Sequence, residues 1–328
     1  MLNMLYLNES DLLALGADWD RLTETITEAL RCMLSGRCVQ PIKPYLRFND
    51  PDNRIIAMPA YIGAPFETAG MKWIASFPAN PAGGLPRAHS VVVLNESATG
   101  RPYAILNGAL PSILRTAAVS AVMLRRWLTT PPIRRRNRPL NVCLIGCGPI
   151  GQWHVRMLTS VLGPRLGRLA AYDLSPDRAQ AAAALAGPAG FAASDWREAY
   201  ATADIVLTCT ASGSRYIDMP PPAGSLLLHV SLRDYAPSAL SGVETIVVDD
   251  WDEVCRENTD IDCMHRTVGL RKEQTVSLAD AVLGDEPPVR TEDARLLFSP
   301  MGMGVFDIAV ASYFVELARQ CGIGLILE

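Results

Sequence analysis

The sequence is poor in the patterns that build metal centres, membrane spans and nucleic-acid surfaces. It has four histidines without metal-ligand spacing, and none of its eight cysteines forms a Cys-x-x-Cys pair, so we expect free thiols and no metal. No uncharged apolar run reaches the roughly 20 residues that cross a bilayer. The net charge of −4 lacks the basic excess of a nucleic-acid binder. Because the N-terminus also lacks a basic signal-peptide segment, we expect a cytoplasmic protein without membrane or nucleic-acid partners.

Length and composition favour two globular domains. A chain of 328 residues is too long for one ordinary core. Its 49% apolar and 20% charged residues are typical of a soluble globular protein. Residues 129–138 combine two prolines with four arginines, and this composition predicts a solvated linker between the domains.

The first third of the chain mixes helix and strand. Asp18 can cap a helix whose apolar residues follow helical spacing and which Gly36 can end. Four strand patterns follow, at residues 54–58, 70–75, 90–94 and 102–106. The last two predict a hairpin, and a helix over 111–128 comes next.

Beyond the linker, strands alternate with helices. Strands are predicted at 140–145, 169–172, 205–209, 225–231 and 245–248. Helices are predicted at 150–162 and 177–185. This alternation implies parallel strands with right-handed crossovers, and hence an α/β fold with a Rossmann-like doubly wound sheet over 129–304. We expect residues 1–128 and the C-terminal helix, within 305–328, to form an α+β substrate-binding and dimerisation domain.

A glycine motif, Gly146-Cys147-Gly148-Pro149-Ile150-Gly151, lies between the first of these strands and its helix. Gly146 would permit a tight turn, Gly148 would let a pyrophosphate approach, and Gly151 would allow close helix–strand packing. The helix N-terminus, at Pro149 and Ile150, would supply N–H groups to phosphates. Asp173 ends the next strand and could accept hydrogen bonds from the ribose, which favours NAD over NADP. The alternative is a glycine-rich turn in an unrelated sheet, with Asp173 capping the following helix.

Further cofactor contacts are predicted where strands end in small or hydroxyl residues. Thr210 and Ala211 follow one predicted strand and Ser231 ends another, at the sheet edge where dinucleotides bind. Thr116 could bind the phosphates, or its hydroxyl could bond back to its own helix. Met303 is expected to pack beside a flexible turn near the cofactor.

Several segments together resemble the ornithine cyclodeaminase/μ-crystallin family over nearly the whole chain. They are Gly70-Met71-Lys72-Trp73, the hairpin 91–104, Leu114-Arg115-Thr116, the glycine motif and residues 247–251. The resemblance implies an NAD-dependent enzyme that acts on a small amino acid. It also implies a homodimer built through the sheet of the first domain.

Within that family, four segments resemble the branch that oxidises N-(2-amino-2-carboxyethyl)-L-glutamate; they are residues 40–47, 54–59, 248–256 and 299–304. The resemblance implies hydride transfer from the glutamate α-carbon to NAD⁺ and hydrolysis of the resulting imine. The products would be 2-oxoglutarate and L-2,3-diaminopropionate, a precursor of siderophores and peptide antibiotics.

The resemblance also assigns roles to five residues. Lys72 matches the active-site lysine, although a lysine snorkelling from a strand edge is the alternative. Asp234 matches the catalytic aspartate, although it could instead form a turn or a salt bridge to its neighbour. Arg47 and Arg115 match positions that bind substrate carboxylates, for which arginine's planar fork is suited, and Lys43 is a weaker addition.

Two other activities remain open within the family: an ornithine cyclodeaminase that recycles NAD and releases proline and ammonia, and a μ-crystallin-like ketimine reductase or NAD(P)H-binding protein. A substrate with three carboxylates needs more cations than ornithine, whose distal group is itself cationic. Around Asp234 this chain has Leu232-Arg233 and Tyr235 where cyclodeaminases usually have a small, glycine-containing turn. The excess of cations therefore favours the dehydrogenase.

Overall fold

The computed structural model describes residues 3–328, which divide into two compact units. Unit 1 comprises the described residues up to Arg115 together with Gly302–Glu328, and unit 2 comprises Thr116–Met301. The sequence placed these boundaries at 128/129 and 304/305. The first boundary instead falls within one continuous helix, and helical periodicity carries no signal for such a division.

The N-terminal segment of unit 1 mixes strands with helices, as predicted. Its elements are β1 (Met4–Leu7), α1 (Glu9–Leu15), α2 (Trp19–Leu34), β2 (Cys38–Val39), β3 (Tyr45–Phe48), β4 (Asp50–Ile62), β5 (Thr68–Ser76), β6 (Ala88–Glu96), β7 (Pro102–Asn107) and α3 (Ala109–Thr129), which continues into unit 2. The Asp18 side chain caps α2 by accepting from the N–H groups of Asp20 and Arg21. The predicted β6–β7 hairpin is confirmed.

Unit 2 carries the alternating strands and helices. Its elements are α4 (Pro131–Arg134), β8 (Leu140–Ile145), α5 (Pro149–Leu162), β9 (Leu166–Tyr172), α6 (Pro176–Ala184), β10 (Gly190–Ala192), α7 (Trp196–Ala201), β11 (Ile205–Thr208), β12 (Leu226–His229), β13 (Thr245–Val248), α8 (Trp251–Val254), α9 (Asp260–Val268), β14 (Val276–Ser277), α10 (Leu278–Leu283) and β15 (Leu296–Ser299). All pairings in its sheet are parallel, in the order β10-β9-β8-β11-β12-β15-β13-β14. The strand order reverses between β8 and β11, which is where ligands bind in folds of this class. The predicted Rossmann-like sheet is therefore confirmed.

The chain returns to unit 1 with α11 (Gly304–Cys321) and β16 (Leu325–Leu327). The unit 1 sheet has the order β16-β1-β7-β6-β5-β4-β2, with β3 paired to β4. Among its described strands, only β1 and β7 are parallel. Helix α11 packs against β4, β5 and β6. Lys72 on β5 lies in register with Met58 on β4 and Val92 on β6, and all three are buried. A lysine therefore occupies a core position of the sheet.

The arginine-rich stretch is not a fully solvated linker. Its first part forms α4, and the guanidinium groups of Arg136 and Arg138 pair with the buried Asp204 carboxylate at 2.9 and 2.7 Å. A buried carboxylate requires such partners, which draws these arginines onto unit 2. Over residues 3–328, the helices are all too short or too polar to cross a bilayer.

Candidate functional site

The glycine motif of unit 2 forms a tight turn, and its geometry requires glycine at Gly146 and Gly151. Gly146 has a φ of +97°, and a Cβ there would lie 2.6 Å from the carbonyl group of Cys209. A Cβ on Gly151 would collide with the carbonyl oxygen of Gly146, so this glycine allows α5 to approach the strand. A Cβ on Gly148 would have no neighbour within 4 Å. The backbone at Gly148 is thus accessible to a ligand.

The N-terminus of α5 fits a dinucleotide phosphate. Gly148 is the N-cap residue, and it offers no side-chain hydrogen bond to the first turn. Pro149 occupies the first turn and Ile150 is 37% exposed. Helix N-termini present N–H groups and a partial positive charge, which together bind phosphate. The residues present therefore fit the pyrophosphate of a dinucleotide.

Asp173 follows β9 and holds the glycine turn. Its Oδ2 accepts from the N–H of Cys147 at 2.7 Å, and its Oδ1 accepts from the N–H of Ser175 at 2.9 Å. Both bonds come from backbone groups, and they place the carboxylate beside the turn. Burial raises the pKa of the Cys147 thiol to about 12, which makes it unsuited to nucleophilic chemistry.

Asp234 lies in a turn after β12 and is fully buried. Its Oδ1 accepts a hydrogen bond from the Thr210 hydroxyl and its Oδ2 accepts one from the Ser231 hydroxyl. Thr210 and Ser231, which the sequence assigned to the cofactor, thus use their hydroxyls to bind Asp234. Ala211, next to Thr210, is exposed. A proton could reach the carboxylate by exchange with either hydroxyl.

A second carboxylate, which the sequence analysis missed, fixes the turn that carries Asp234. Oδ2 of Asp260 accepts from the backbone N–H groups of Asp234 and Tyr235, at 3.0 and 2.8 Å. His229 is fully buried between Oδ2 of Asp260, at 2.8 Å, and the Thr208 hydroxyl, at 2.7 Å. Each ring nitrogen of His229 therefore has a hydrogen-bond partner. Asp260 is the first residue of α9, and its sequence pattern indicates only a helix start.

The same turn contains a strained residue. Leu232 adopts a φ of +71° and is 6% exposed. A left-handed conformation costs an L-residue roughly 1–2 kcal/mol relative to glycine. The turn thus keeps a glycine-type backbone without a glycine.

Unit 1 gathers three cations around one carboxylate. Lys43, Lys72 and Arg115 are 3%, 1% and 9% exposed, and Asp307, in the first turn of α11, is 3% exposed. Oδ1 of Asp307 accepts from Nζ of Lys72 and from Nε of Arg115, both at 2.8 Å. Nζ of Lys43 donates to the carbonyl oxygen of Gly302 at 2.7 Å. The structure therefore brings together three of the predicted residues, and Asp307 is one that the sequence analysis missed.

Burial changes the proton affinity of Lys72. Desolvation is the main cause that lowers the pKa of its amine to about 7, and the charges of Arg115 and Lys43 act in the same direction. Asp307 opposes this shift through its charge and its hydrogen bond. Lys72 is thus present in both protonation states near neutral pH, which suits proton exchange. The alternative of a snorkelling lysine is excluded by its complete burial.

The remaining predicted residues lie elsewhere. Arg47 is exposed on β3, where its guanidinium donates to the carbonyl oxygen of Pro51 at 3.0 Å. Thr116 is half-buried in α3, and Met303 is the buried N-cap residue of α11. Within residues 3–328, no group of three or more histidine, cysteine, aspartate or glutamate side chains is arranged to hold a metal ion.

Comparison with known proteins identifies the family. The model of the ornithine cyclodeaminase/mu-crystallin family matches residues 14–321. The chain is 32% identical to the N-((2S)-2-amino-2-carboxyethyl)-L-glutamate dehydrogenase of Staphylococcus aureus, with 99% of this chain and 98% of that protein covered.

Solved structures share the fold over its full length. The Δ(1)-pyrroline-2-carboxylate reductase of Thermococcus litoralis, solved with NADH and L-proline, gives a TM-score of 0.84 at 22% identity and covers 99% of this chain and 100% of that chain. An archaeal alanine dehydrogenase, solved as a dimer with bound NAD, gives a TM-score of 0.84 at 23% identity and covers 99% of each chain. The resemblance seen in the sequence is thereby confirmed. This chain belongs to the ornithine cyclodeaminase/mu-crystallin family and is an NAD(P)-dependent oxidoreductase of the amino-acid dehydrogenase and imine reductase type.

Proposed function

We propose that this enzyme oxidises N-(2-amino-2-carboxyethyl)-L-glutamate with NAD⁺ and releases 2-oxoglutarate and L-2,3-diaminopropionate. The observation that carries the proposal is the buried cluster of Lys43, Lys72 and Arg115 in unit 1. The relative of the same activity, 32% identical over nearly the full length of both chains, supports it.

The charges of the cluster favour an anionic substrate. Arg115, Lys43 and the protonated form of Lys72 share one carboxylate, Asp307, whose Oδ1 already binds Lys72 and Arg115. Uncompensated buried charge is costly, and substrate carboxylates would neutralise it. The distal ammonium of ornithine would instead add a further positive charge. N-(2-amino-2-carboxyethyl)-L-glutamate also has two amino groups, but it carries three carboxylates where ornithine carries one. The cluster therefore favours the tricarboxylate over ornithine.

The proposed reaction divides the work among named residues. When bound, NAD⁺ supplies the acceptor for the hydride from the glutamate α-carbon. Arg115 and Lys43 bind substrate carboxylates, while Lys72 exchanges a proton with the secondary amine as the imine forms. Water then adds to the imine carbon and the carbon–nitrogen bond breaks, giving the keto acid and a primary amine. Asp234, through its hydroxyl partners Thr210 and Ser231, is the second group able to move a proton in this sequence.

Three further proposals concern cofactor, assembly and pathway. Asp173 would repel a 2′-phosphate, so we propose NAD rather than NADP as the cosubstrate.

We propose that unit 1 binds substrate and forms a homodimer through its sheet, with unit 2 binding NAD. The archaeal alanine dehydrogenase dimer supports this assembly. Because the proposed product is L-2,3-diaminopropionate, we also propose that the enzyme serves the synthesis of this precursor of siderophores or peptide antibiotics.

The direct test is an assay of purified protein with NAD⁺ and N-(2-amino-2-carboxyethyl)-L-glutamate. We expect NADH absorbance to rise and 2-oxoglutarate to appear in equal amount, with NADP⁺ at least about tenfold less efficient. Lys72→Met should abolish turnover, whereas Lys272→Met makes the same chemical change at an exposed lysine and should leave it intact. Release of proline and ammonia from ornithine, without NADH from the tricarboxylate, would instead establish a cyclodeaminase.

A further inference from the structure

Lysine is rare in this chain and concentrated in one place. The sequence has three lysines among 30 basic residues. Two of them, Lys43 and Lys72, lie in the buried cluster of unit 1, and Lys272 is exposed. The positive charge outside this cluster is therefore carried almost entirely by arginine, whose guanidinium stays protonated at any ordinary pH. Two of the three lysines are therefore buried in the unit 1 cluster, and the pKa of a lysine amine, unlike that of arginine, shifts readily on burial.

Asp307 is the carboxylate that binds both Lys72 and Arg115 of the cluster. Its Oδ1 accepts from Nζ of Lys72 and from Nε of Arg115, while Ser112 accepts a longer bond from Nζ of Lys72 at 3.2 Å. Its Oδ2 is buried and has no hydrogen-bond partner among the described residues. A structural ion pair would be expected to use both oxygens, because an unsatisfied buried oxygen costs free energy. Both of these bonds of Asp307 therefore run through one oxygen, which brings the Lys72 amine and the Arg115 guanidinium together at the same atom.

We propose that Asp307 is a positioning residue that sets the protonation state of Lys72 and aligns Lys72 with Arg115. The titratable groups that act on the Lys72 amine within unit 1 are Asp307, Arg115 and Lys43. Asp307 favours the ammonium form, and the two cations favour the neutral amine. Asp307 thereby keeps the Lys72 pKa near neutral instead of letting burial lower it further. The proposal rests on the proposed function only in treating Lys72 as the group that exchanges a proton.

Asp307→Asn removes the negative charge of this side chain and keeps its size and shape. The amide oxygen can occupy the place of Oδ1 and accept from both cations, and the amide nitrogen then occupies the place of Oδ2, which accepts no hydrogen bond from a described residue and so loses none. We therefore expect the variant to fold. Glu316→Gln makes the same chemical change at an exposed residue of the same helix and serves as the control.

The test is NMR titration of protein labelled at the ε-carbon of lysine. The chain's three lysines give three signals, which Lys272→Arg and Lys72→Met assign. Asp307→Asn should lower the pKa of Lys72 by about one unit or more, because an opposite charge within 4–6 Å shifts a pKa by about 1–3 units. Glu316→Gln should leave that pKa unchanged. An Asp307→Asn signal that titrates at the same pH as in the unmodified protein would overturn the proposal.

A second variant, expected to shift the Lys72 pKa in the opposite direction, keeps the proposal testable if Asp307→Asn misfolds. Arg115→Gln removes a cation that disfavours the ammonium form, so it should raise the Lys72 pKa. A pKa that does not rise would contradict the electrostatic argument even if Asp307→Asn proves insoluble. Neither titration requires substrate, so this proposal can fail while the proposed function stands. In turnover assays, the part of the pH dependence of kcat/KM that reports the titration of Lys72 should move to lower pH in Asp307→Asn.

Discussion

The replacement Gly302→Ala should weaken substrate binding because it displaces the guanidinium of Arg115. Gly302 has a φ of +85°, and a Cβ there would lie 2.5 Å from Nη1 and 2.8 Å from Nη2 of Arg115. Relaxed contacts between heavy atoms lie near 3.5–4.0 Å, so the guanidinium must move by roughly 1 Å. A displacement of about 1 Å in a positioned group can reduce activity about 100-fold. We expect KM for the tricarboxylate substrate to rise roughly 10- to 100-fold.

Gly322→Ala is the matched control for the backbone component. Gly322 ends α11 with a φ of +66°, and a Cβ there would have no neighbour within 4 Å. Both substitutions should cost roughly 1 kcal/mol of unfolding free energy because an L-residue disfavours positive φ. Urea denaturation measures that shared cost, and NADH absorbance at varied substrate concentration measures KM. Equal KM values in the two variants would refute the assigned contact between Gly302 and Arg115.

Three further changes test the strained turn, the buried aspartate and the buried lysine. Leu232→Gly should be less destabilising than Leu232→Ala by about 1 kcal/mol in urea denaturation, because only glycine relieves the left-handed strain; the opposite order would show that the turn is unstrained. Asp234→Asn should lower kcat by about 100-fold or more with little change in KM, and an unchanged rate would remove its proton-transfer role. The pKa of Lys72 is about 7 when folded, against an ordinary value of 10.5, so the unfolded chain binds more protons between these values and stability should rise with pH across that window. Lys72→Met should lack this rise, and identical pH dependence in denaturation experiments would contradict the buried amine.

Much of the fold was predictable because its elements repeat simple patterns. The alternation of apolar strands and helices predicted the parallel sheet of unit 2, and the spacing of Gly146, Gly148 and Gly151 predicted the turn that joins β8 to α5. Short edge strands such as β10 and β14 were missed because two or three residues carry no measurable periodicity. Strand β4 is longer than predicted, since its first half pairs with β3 in an exposed hairpin that lacks an apolar pattern.

The site was only partly predictable. Lys72, Arg115 and Asp234 were assigned through resemblance, and the structure places the first two in one buried cluster of unit 1. Asp307 and Asp260 were not predicted, because an acidic residue in the first turn of a helix is ordinary and indicates only a helix start. The role of Arg47 stays a prediction, since its side chain is exposed.

By itself, the sequence determined the class of fold, the dinucleotide motif and the family, because each depends on residues that lie close together in the chain. Only the tertiary structure decided which charges meet. Lys72 and Asp307 are separated by 235 positions, and they form an ion pair because α11 returns to cover the face of the sheet on which Lys72 lies. The proton affinity of Lys72 follows from that burial and from the charges around it, and no local pattern in the sequence encodes either.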